Sequence, residues 1–180
     1  MKDFAEKTIK KTKIFDGKII SLQVDDVRLP DGNTSKREIV KHPGAVAIIA
    51  VTEEEKILFV KQYRKPLERS LIEIPAGRIE EGEEPKITAL RELEEETGYT
   101  AKDLKFVTSF YTSPGFANEI IHLYITEDIQ RLAEPVQGDD DEFIEIIELS
   151  LDEAHEYVQT GKIQDAKTNY AILYLQLKNN

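Results

Sequence analysis

Three glutamates, Glu92, Glu95 and Glu96, follow one another at spacings of three and one in a stretch that reads as helix. At 3.6 residues per turn their side chains fall within an arc of about 100°. Carboxylates this close repel one another by roughly a few tenths of a kcal/mol per exposed pair, a penalty that a bound cation removes. The set offers oxygen alone, without His or Cys nearby, so Mg2+ or Mn2+ is the expected ion, with phosphate oxygens of a substrate completing the shell. Such ions polarise phosphoryl groups and generate hydroxide from water. Taken without their surroundings, the same residues also describe a solvated helix face. A second acidic run, Asp139-Asp140-Asp141-Glu142, reads by itself as a solvated loop before the strand from Phe143.

The elements that must position these groups can be read from pattern. Pro85 suits the first turn of a helix that runs to about Thr97, with Gly98 as its C-cap. On that helix Ile87, Leu90 and Leu93 face a core, and Glu94 falls outside the carboxylate arc. Val24 to Leu29 and Lys36 to Lys41 read as strands joined by the turn Pro30-Asp31-Gly32-Asn33. The apolar run Gly44 to Val51, a polar turn over Thr52 to Lys56 and Ile57 to Tyr63 suggest a buried hairpin. Leu71 to Ile74, Phe106 to Tyr111, Ile120 to Thr126 and Phe143 to Leu149 are further strands, while Leu151 to Thr160 and Asp165 to Leu177 are helices. Strands, helix, strands and helices in that order predict an α+β sandwich.

The stretch from Gly77 to Tyr99 resembles the Nudix box: Gly, five residues, Glu, seven residues, Arg-Glu, an aliphatic residue, any residue, Glu-Glu, any residue, Gly and an aliphatic residue. Gly77, Glu83, Arg91, Glu92, Leu93, Glu95, Glu96 and Gly98 fill it, and only the last position departs, with Tyr99. At one chance in ten per fixed identity, an accidental match is on the order of 10⁻⁵. The resemblance implies a Nudix-like α/β/α sandwich with an N-terminal β-ribbon. It implies metal binding by Glu92, Glu95 and Glu96 with the backbone carbonyl of Ala76, close backbone approach at Gly77, and a Glu83–Arg91 ion pair that orients the loop.

Outside the box the chain is similar to the ADP-ribose pyrophosphatase branch, marked by a proline fifteen residues past the box, here Pro114. The branch implies hydrolysis of ADP-ribose to AMP and ribose 5-phosphate by water attack on phosphorus. It places Ser113, Pro114, Gly115 and Glu119 near the terminal ribose, and Arg37, Glu38, Arg64 and Arg78 on the substrate, with Gln62 and Tyr63 beside Arg64. Read by themselves, those loop residues describe a Pro-Gly turn. A carboxylate of the acidic loop, Glu142 first and Asp140 second, would act as base, with Glu142 also a metal ligand and Glu96 sharing the catalytic role. The implied organisation is an N-terminal ribbon at 1–42, exchanged across a homodimer so that Arg37 and Glu38 serve the partner's site, followed by a hydrolase domain at 43–180. Ile20 and Ser21 stand where the branch can carry an adenine-stacking aromatic, so the base must be recognised otherwise.

Composition narrows the remaining classes. With 180 residues and 40% hydrophobic content, one catalytic domain is expected. A net charge of −11 disfavours nucleic acid and anionic membranes as partners but leaves a small anionic substrate open to local cations. Absence of cysteine excludes disulfides and thiolate zinc sites and suits the cytoplasm. No signal-peptide core or membrane span is expected. His42, His122 and His155 are scattered without ligand spacing and are expected to be structural.

Overall fold

The computed structural model of the chain describes residues 4–134, 136, 138 and 143–179. Its contacts divide into two units, Met1–Gly44 with Phe110–Ile121, and Ala45–Ser109 with His122–Asn180.

In the first unit, Lys7–Asp16 (β1), Ser21–Arg28 (β2) and Thr34–Lys41 (β3) form an antiparallel sheet in the order β1-β2-β3. The turn between β2 and β3 forms where its residues predict: Gly32 takes φ +89°, and Asp31 Oδ1 accepts from the Asn33 amide at 2.9 Å. The first strand was not anticipated. Its register with β2 slips between Thr8 and Lys10 and between Lys13 and Phe15, so its apolar residues, Ile9, Ile14 and Phe15, lose the period of two by which a strand is recognised. All ten of its residues are exposed. The expected two-stranded ribbon is therefore a three-stranded sheet. In the same unit, the segment after Ser113 bridges β3, with the Val40 amide donating to Phe116 O at 2.8 Å and Asn118 N donating to Val40 O at 3.2 Å.

The second unit contains Ala45–Ala50 (β4), Ile57–Arg64 (β5), Arg69–Glu73 (β6), Ala76–Arg78 (β7), the helix Pro85–Thr97 (α1) and Tyr99–Ala101 (β8). The chain leaves this unit along Lys105–Tyr111 (β9) and returns along Ile120–Thr126 (β10). Ile129–Arg131 (β11), Ile144–Leu149 (β12) and the helices Leu151–Gln159 (α2) and Ala166–Lys178 (α3) complete the chain. The sheets run β7-β4-β10-β9, β12-β5-β6 and β11-β8.

The expected β4–β5 hairpin does not form as such. After a single bridge at Val51–Ile57 the two strands part into different sheets. β4 and the first half of β5, Ile57 to Val60, are apolar and buried on both faces, so each needs cover that the other alone cannot supply. The three-residue strands β7, β8 and β11 carry too few residues to show any period, and the sequence did not reveal them.

Val46, Ile48 and Ala50 on one face of β4, with Leu58 of β5, pack on Ala89 and Leu93 of α1 and on Ala101, Leu104, Tyr124 and Ile129. Ala47, Ile49 and Phe59, on the alternate positions, are also fully buried. Pro85 starts α1, and Gly98 at φ +69° ends it, its amide donating to Glu94 O at 2.9 Å. Leu93 lies at the centre of the core stripe with Ala89, Leu90 and Thr97 around it. Ile87 is the exception: it is 59% exposed, because its position is about 120° from Leu93 around the helix.

Candidate active site

Helix α1 does for its glutamates what geometry requires. With Leu93 as the inward direction, Glu96 projects about 60° away, Glu92 about 100° and Glu95 about 160° on the same side. Burial follows that order, from 6% exposure at Glu96 to side-chain exposures of 13% at Glu92 and 24% at Glu95. Glu96 is therefore a charged group at the margin of the core, and it is held there: the Ala76 amide donates to Oε2 at 2.8 Å, and Gln62 Nε2 on β5 donates to Oε1 at 3.3 Å.

Gly77 explains the place of Glu92. A Cβ on this glycine would lie 1.8 Å from the Glu92 carboxyl carbon and 2.1 Å from both its oxygens. Gly77 lies in β7, paired with Val46, and needs no positive φ; its role is the close approach of backbone to carboxylate.

Arg91 joins the rest. Its Nε and Nη2 donate to Glu83 Oε1 and Oε2 at 3.1 and 3.0 Å, and its Nη1 donates to both Glu92 Oε1 and Glu95 Oε2 at 2.8 Å. Nη2 also reaches the Arg78 carbonyl at 3.4 Å. Glu83 Oε2 accepts from Thr88 Oγ1 at 2.8 Å as well, so the loop is fastened to the first turns of α1. Hydrogen bonding from Arg91 holds the Glu83 carboxyl below its usual range. The Arg91 guanidinium is held above its own, through the hydrogen bond to Glu83 and the charge of Glu92. Glu94, off this face, accepts from Thr100 Oγ1 at 2.6 Å.

Does this set suit a divalent cation? The donors are carboxylate oxygens only, the chemistry that hard ions take, and a guanidinium nitrogen already sits between two of them. Among the described residues no group of three or more acidic or histidine side chains is closed around a single point. The arrangement is an open acidic face, suited to an ion that keeps water and substrate oxygens in its shell. At Ala76 the structure fixes the amide, which is committed to Glu96.

The other expected residues are distributed as follows. In the second unit, Arg64 pairs with Glu73, its Nε and Nη2 donating at 2.7 and 2.8 Å, and Arg78 is exposed on β7. In the first unit, Arg37 on β3 donates to Glu6 through Nε at 2.8 Å and to Ser35 Oγ at 3.0 Å, and Glu38 is exposed beside it. Ser113 closes a turn, its carbonyl accepting from Phe116 N and Ala117 N at 3.1 and 2.9 Å, with Pro114 and Gly115 exposed within it. Thr112 Oγ1 donates to Glu119 Oε2 at 2.5 Å. Asp140 and Glu142 lie outside the described residues.

The histidines have local partners. The Gly44 amide donates to His42 Nδ1 at 3.1 Å, His122 Nδ1 lies 2.8 Å from Ser109 Oγ, and His155 Nδ1 lies 2.9 Å from Gln176 Nε2. Sequence reading passed over Glu73 and Lys167, both buried. The signal was a lone carboxylate inside the short apolar strand Leu71 to Ile74, which cannot be buried without a cationic partner. Among the described residues no helix is long and apolar enough to cross a membrane.

Comparison with known proteins bears on this geometry. The NUDIX domain matches residues 41–170, and the nucleoside diphosphate sugar hydrolase N-terminal domain matches residues 6–40. An ADP-ribose pyrophosphatase of Bacillus subtilis (strain 168) is 61% identical over 99% of this chain and 96% of its own length. A methanol dehydrogenase activator of Bacillus methanolicus is 58% identical over 97% of this chain and 95% of its own. The crystal structure of an ADP compounds hydrolase has the same fold, with a TM-score of 0.85 over 98% of this chain and 95% of that one, at 18% identity. The Nudix-like fold expected from the sequence is thus the fold adopted, and a glycine floor under Glu92, an arginine knot across Glu83, Glu92 and Glu95, and a domain match over most of the residues agree that this chain belongs to the Nudix family of hydrolases.

Proposed function

We propose that this chain hydrolyses ADP-ribose to AMP and ribose 5-phosphate in the presence of Mg2+ or Mn2+. The observation that carries the reading is the acidic face of α1, kept in register by Gly77 and Arg91, in a chain 61% identical to an ADP-ribose pyrophosphatase. The match to a nucleoside diphosphate sugar hydrolase domain supports the same substrate class. Glu92, Glu95 and Glu96 would hold the ion, with the Ala76 carbonyl and Glu142 as further ligands. Bound there, the ion supplies positive charge that polarises phosphoryl oxygens and acidifies water.

The protein's own groups do the rest. Glu142, or failing it Asp140, takes the proton of the attacking water as its oxygen bonds to one phosphorus. The bridging P–O bond breaks, and the two phosphate monoesters separate without a covalent enzyme intermediate. Arg64 and Arg78 neutralise the pyrophosphate, since guanidinium matches phosphate oxygens. Ser113, Pro114, Gly115 and Glu119 form the ribose end of the site. Arg37 and Glu38 come from the partner subunit of a homodimer built on the N-terminal sheet, a reading supported by the apolar side chains left exposed at Phe4, Ile9, Ile14 and Phe15.

The test is incubation with ADP-ribose, Mg2+ and isotopically labelled water. AMP and ribose 5-phosphate, one of them carrying the label on phosphate, is the expected result. Intact substrate, with turnover instead of another nucleotide sugar or a nucleoside triphosphate, would replace the substrate assignment while leaving the family untouched. Sedimentation of the full chain against an Ile14→Lys variant tests the dimer, which the variant should weaken.

The name of the Bacillus methanolicus relative supports a second reading, in which the same hydrolase raises the activity of a methanol dehydrogenase. Addition of the chain to such an enzyme decides it. If Glu96→Gln abolishes activation, activation follows from hydrolysis; if it does not, binding alone suffices.

A further inference from the structure

Among the described residues of the second unit, the deepest paired charges are Glu73 and Lys167. Glu73 is 2% exposed and Lys167 8%. Arg64 ends β5 opposite Arg69, a like charge, whereas Glu73 stands opposite Val60 at the other end of the same strand pair. Cross-strand partners share a face, so the Arg64 side chain must run back over that face to make its two hydrogen bonds, Nε to Oε1 at 2.7 Å and Nη2 to Oε2 at 2.8 Å. From α3, Lys167 Nζ donates to Glu73 Oε2 and lies 3.1 Å from the Asp165 carboxylate. Two acids meet two bases, and burial of Glu73, which alone would push its carboxyl up, is outweighed by the hydrogen bonds and charges of Arg64 and Lys167, which hold it at about 2.

A buried ion pair seldom stabilises a fold more than apolar side chains of the same volume would, so this cluster invites a reason other than stability. Its position suggests one. The Arg64 guanidinium feels the charge of Glu96 as well as Glu73, and Glu96 is fastened to the amide of Ala76, three residues beyond Glu73. Nε and Nη2 are taken by Glu73, while Nη1 makes no hydrogen bond among the described residues, and the side chain remains 38% exposed.

We propose that Glu73 and Lys167 are positioning residues for the hydrolysis: they draw Arg64 back along β5 and leave the Nη1 edge of its guanidinium, which Glu73 does not take, for the anionic oxygens of a pyrophosphate. The inference rests on the reading of Arg64 as a substrate-binding residue. Lys167 keeps Glu73 ionised and centred, so that the carboxylate orients the guanidinium without drawing its full charge away from the substrate. A Lys at position 64 could satisfy Glu73 but would have no second edge to offer.

The experiment is steady-state kinetics on ADP-ribose with Mg2+ for the full chain carrying Arg64→Ala, Glu73→Gln, Lys167→Met and the Arg64→Ala/Glu73→Gln pair, each checked for a cooperative melt. Arg64→Ala should raise KM by roughly tenfold or more, and Glu73→Gln should raise it by a similar factor with kcat moved less than about threefold. Lys167→Met should give a smaller rise in KM. The double variant should be no worse than Arg64→Ala, because Glu73 acts only through that side chain. If Glu73→Gln leaves KM unchanged, or multiplies the defect of Arg64→Ala, the positioning role is wrong and the pair merely ties α3 to the sheet. If Arg64→Ala itself binds substrate normally, the reading of Arg64 fails instead, and the positioning role with it. Should Glu73→Gln not fold, a folded Lys167→Met or Glu73→Asp with unaltered KM overturns the proposal equally.

Discussion

Two clusters of charge lie in the second unit, and they are built on opposite rules. At α1, the carboxylates of Glu92 and Glu95 on the helix and Glu83 in the loop before it meet one guanidinium, Arg91, with Glu96 held beside them by the Ala76 amide. Behind β5 and β6, Glu73 and Asp165 face Arg64 and Lys167 in equal number. The balanced cluster needs nothing from outside, which is the condition for burying charge at all. The unbalanced one is left short of positive charge on a partly exposed face, and the proposed function rests on that deficit. Charge imbalance that the fold takes trouble to preserve, here with a glycine cleared of its side chain and an arginine at the centre, is the more informative of the two.

Substitutions can break or sharpen this contrast, and the largest effect should come from the unbalanced side. Glu96→Gln should lower turnover of ADP-ribose by about a thousandfold or more, while circular dichroism and the melting profile stay close to wild type; near-normal turnover would remove the carboxylate face from the chemistry. Gly77→Ala comes next. Its methyl would occupy the place of the Glu92 carboxylate, and since a misplacement of about 1 Å can cost around a hundredfold, turnover should fall by that order and the Mg2+ requirement should rise. A functional Gly77→Ala enzyme would show that Glu92 has another seat.

Glu83→Gln removes an anchor of Arg91 and not the acidic face itself, so a fall of about tenfold in turnover is expected, recoverable in part at higher Mg2+. The smallest effect on turnover at neutral pH, and the clearest effect on stability at low pH, belongs to the balanced cluster. Glu73 titrates at about 2 in the fold against an ordinary value of 4.5. A lowered folded value means that the stabilisation is complete above pH 4.5 and is lost as pH falls towards 2. Urea midpoints should therefore drop across that window in the wild type, by an amount on the order of a few kcal/mol in stability, and the drop should shrink in Glu73→Gln. Parallel curves for the two proteins would contradict the pairing.

The units differ as well in how far their sequences could be read. Helices α1, α2 and α3 were legible from their apolar periodicity, with Gly98 marking the end of the first; the capping box of Ser150 with Glu153 and the Asp165 cap are what the structure adds. Strand β1 was not, since two register slips remove its alternation and none of its side chains is buried. The parting of β4 from β5 was invisible too, because two continuous apolar runs look alike whether they pair with each other or with strands elsewhere in the chain.

The sequence by itself determined helix α1, its three carboxylates and the Glu83–Arg91 partnership, because helical geometry and a dense motif act over short separations. Only the tertiary structure decided how deep each glutamate lies, that Gly77 is the floor beneath Glu92, and that Glu73 is shared by Arg64 and Lys167. Those contacts join residues up to 94 positions apart, and side chains brought together from different strands and helices leave no period in the chain for a reader to find.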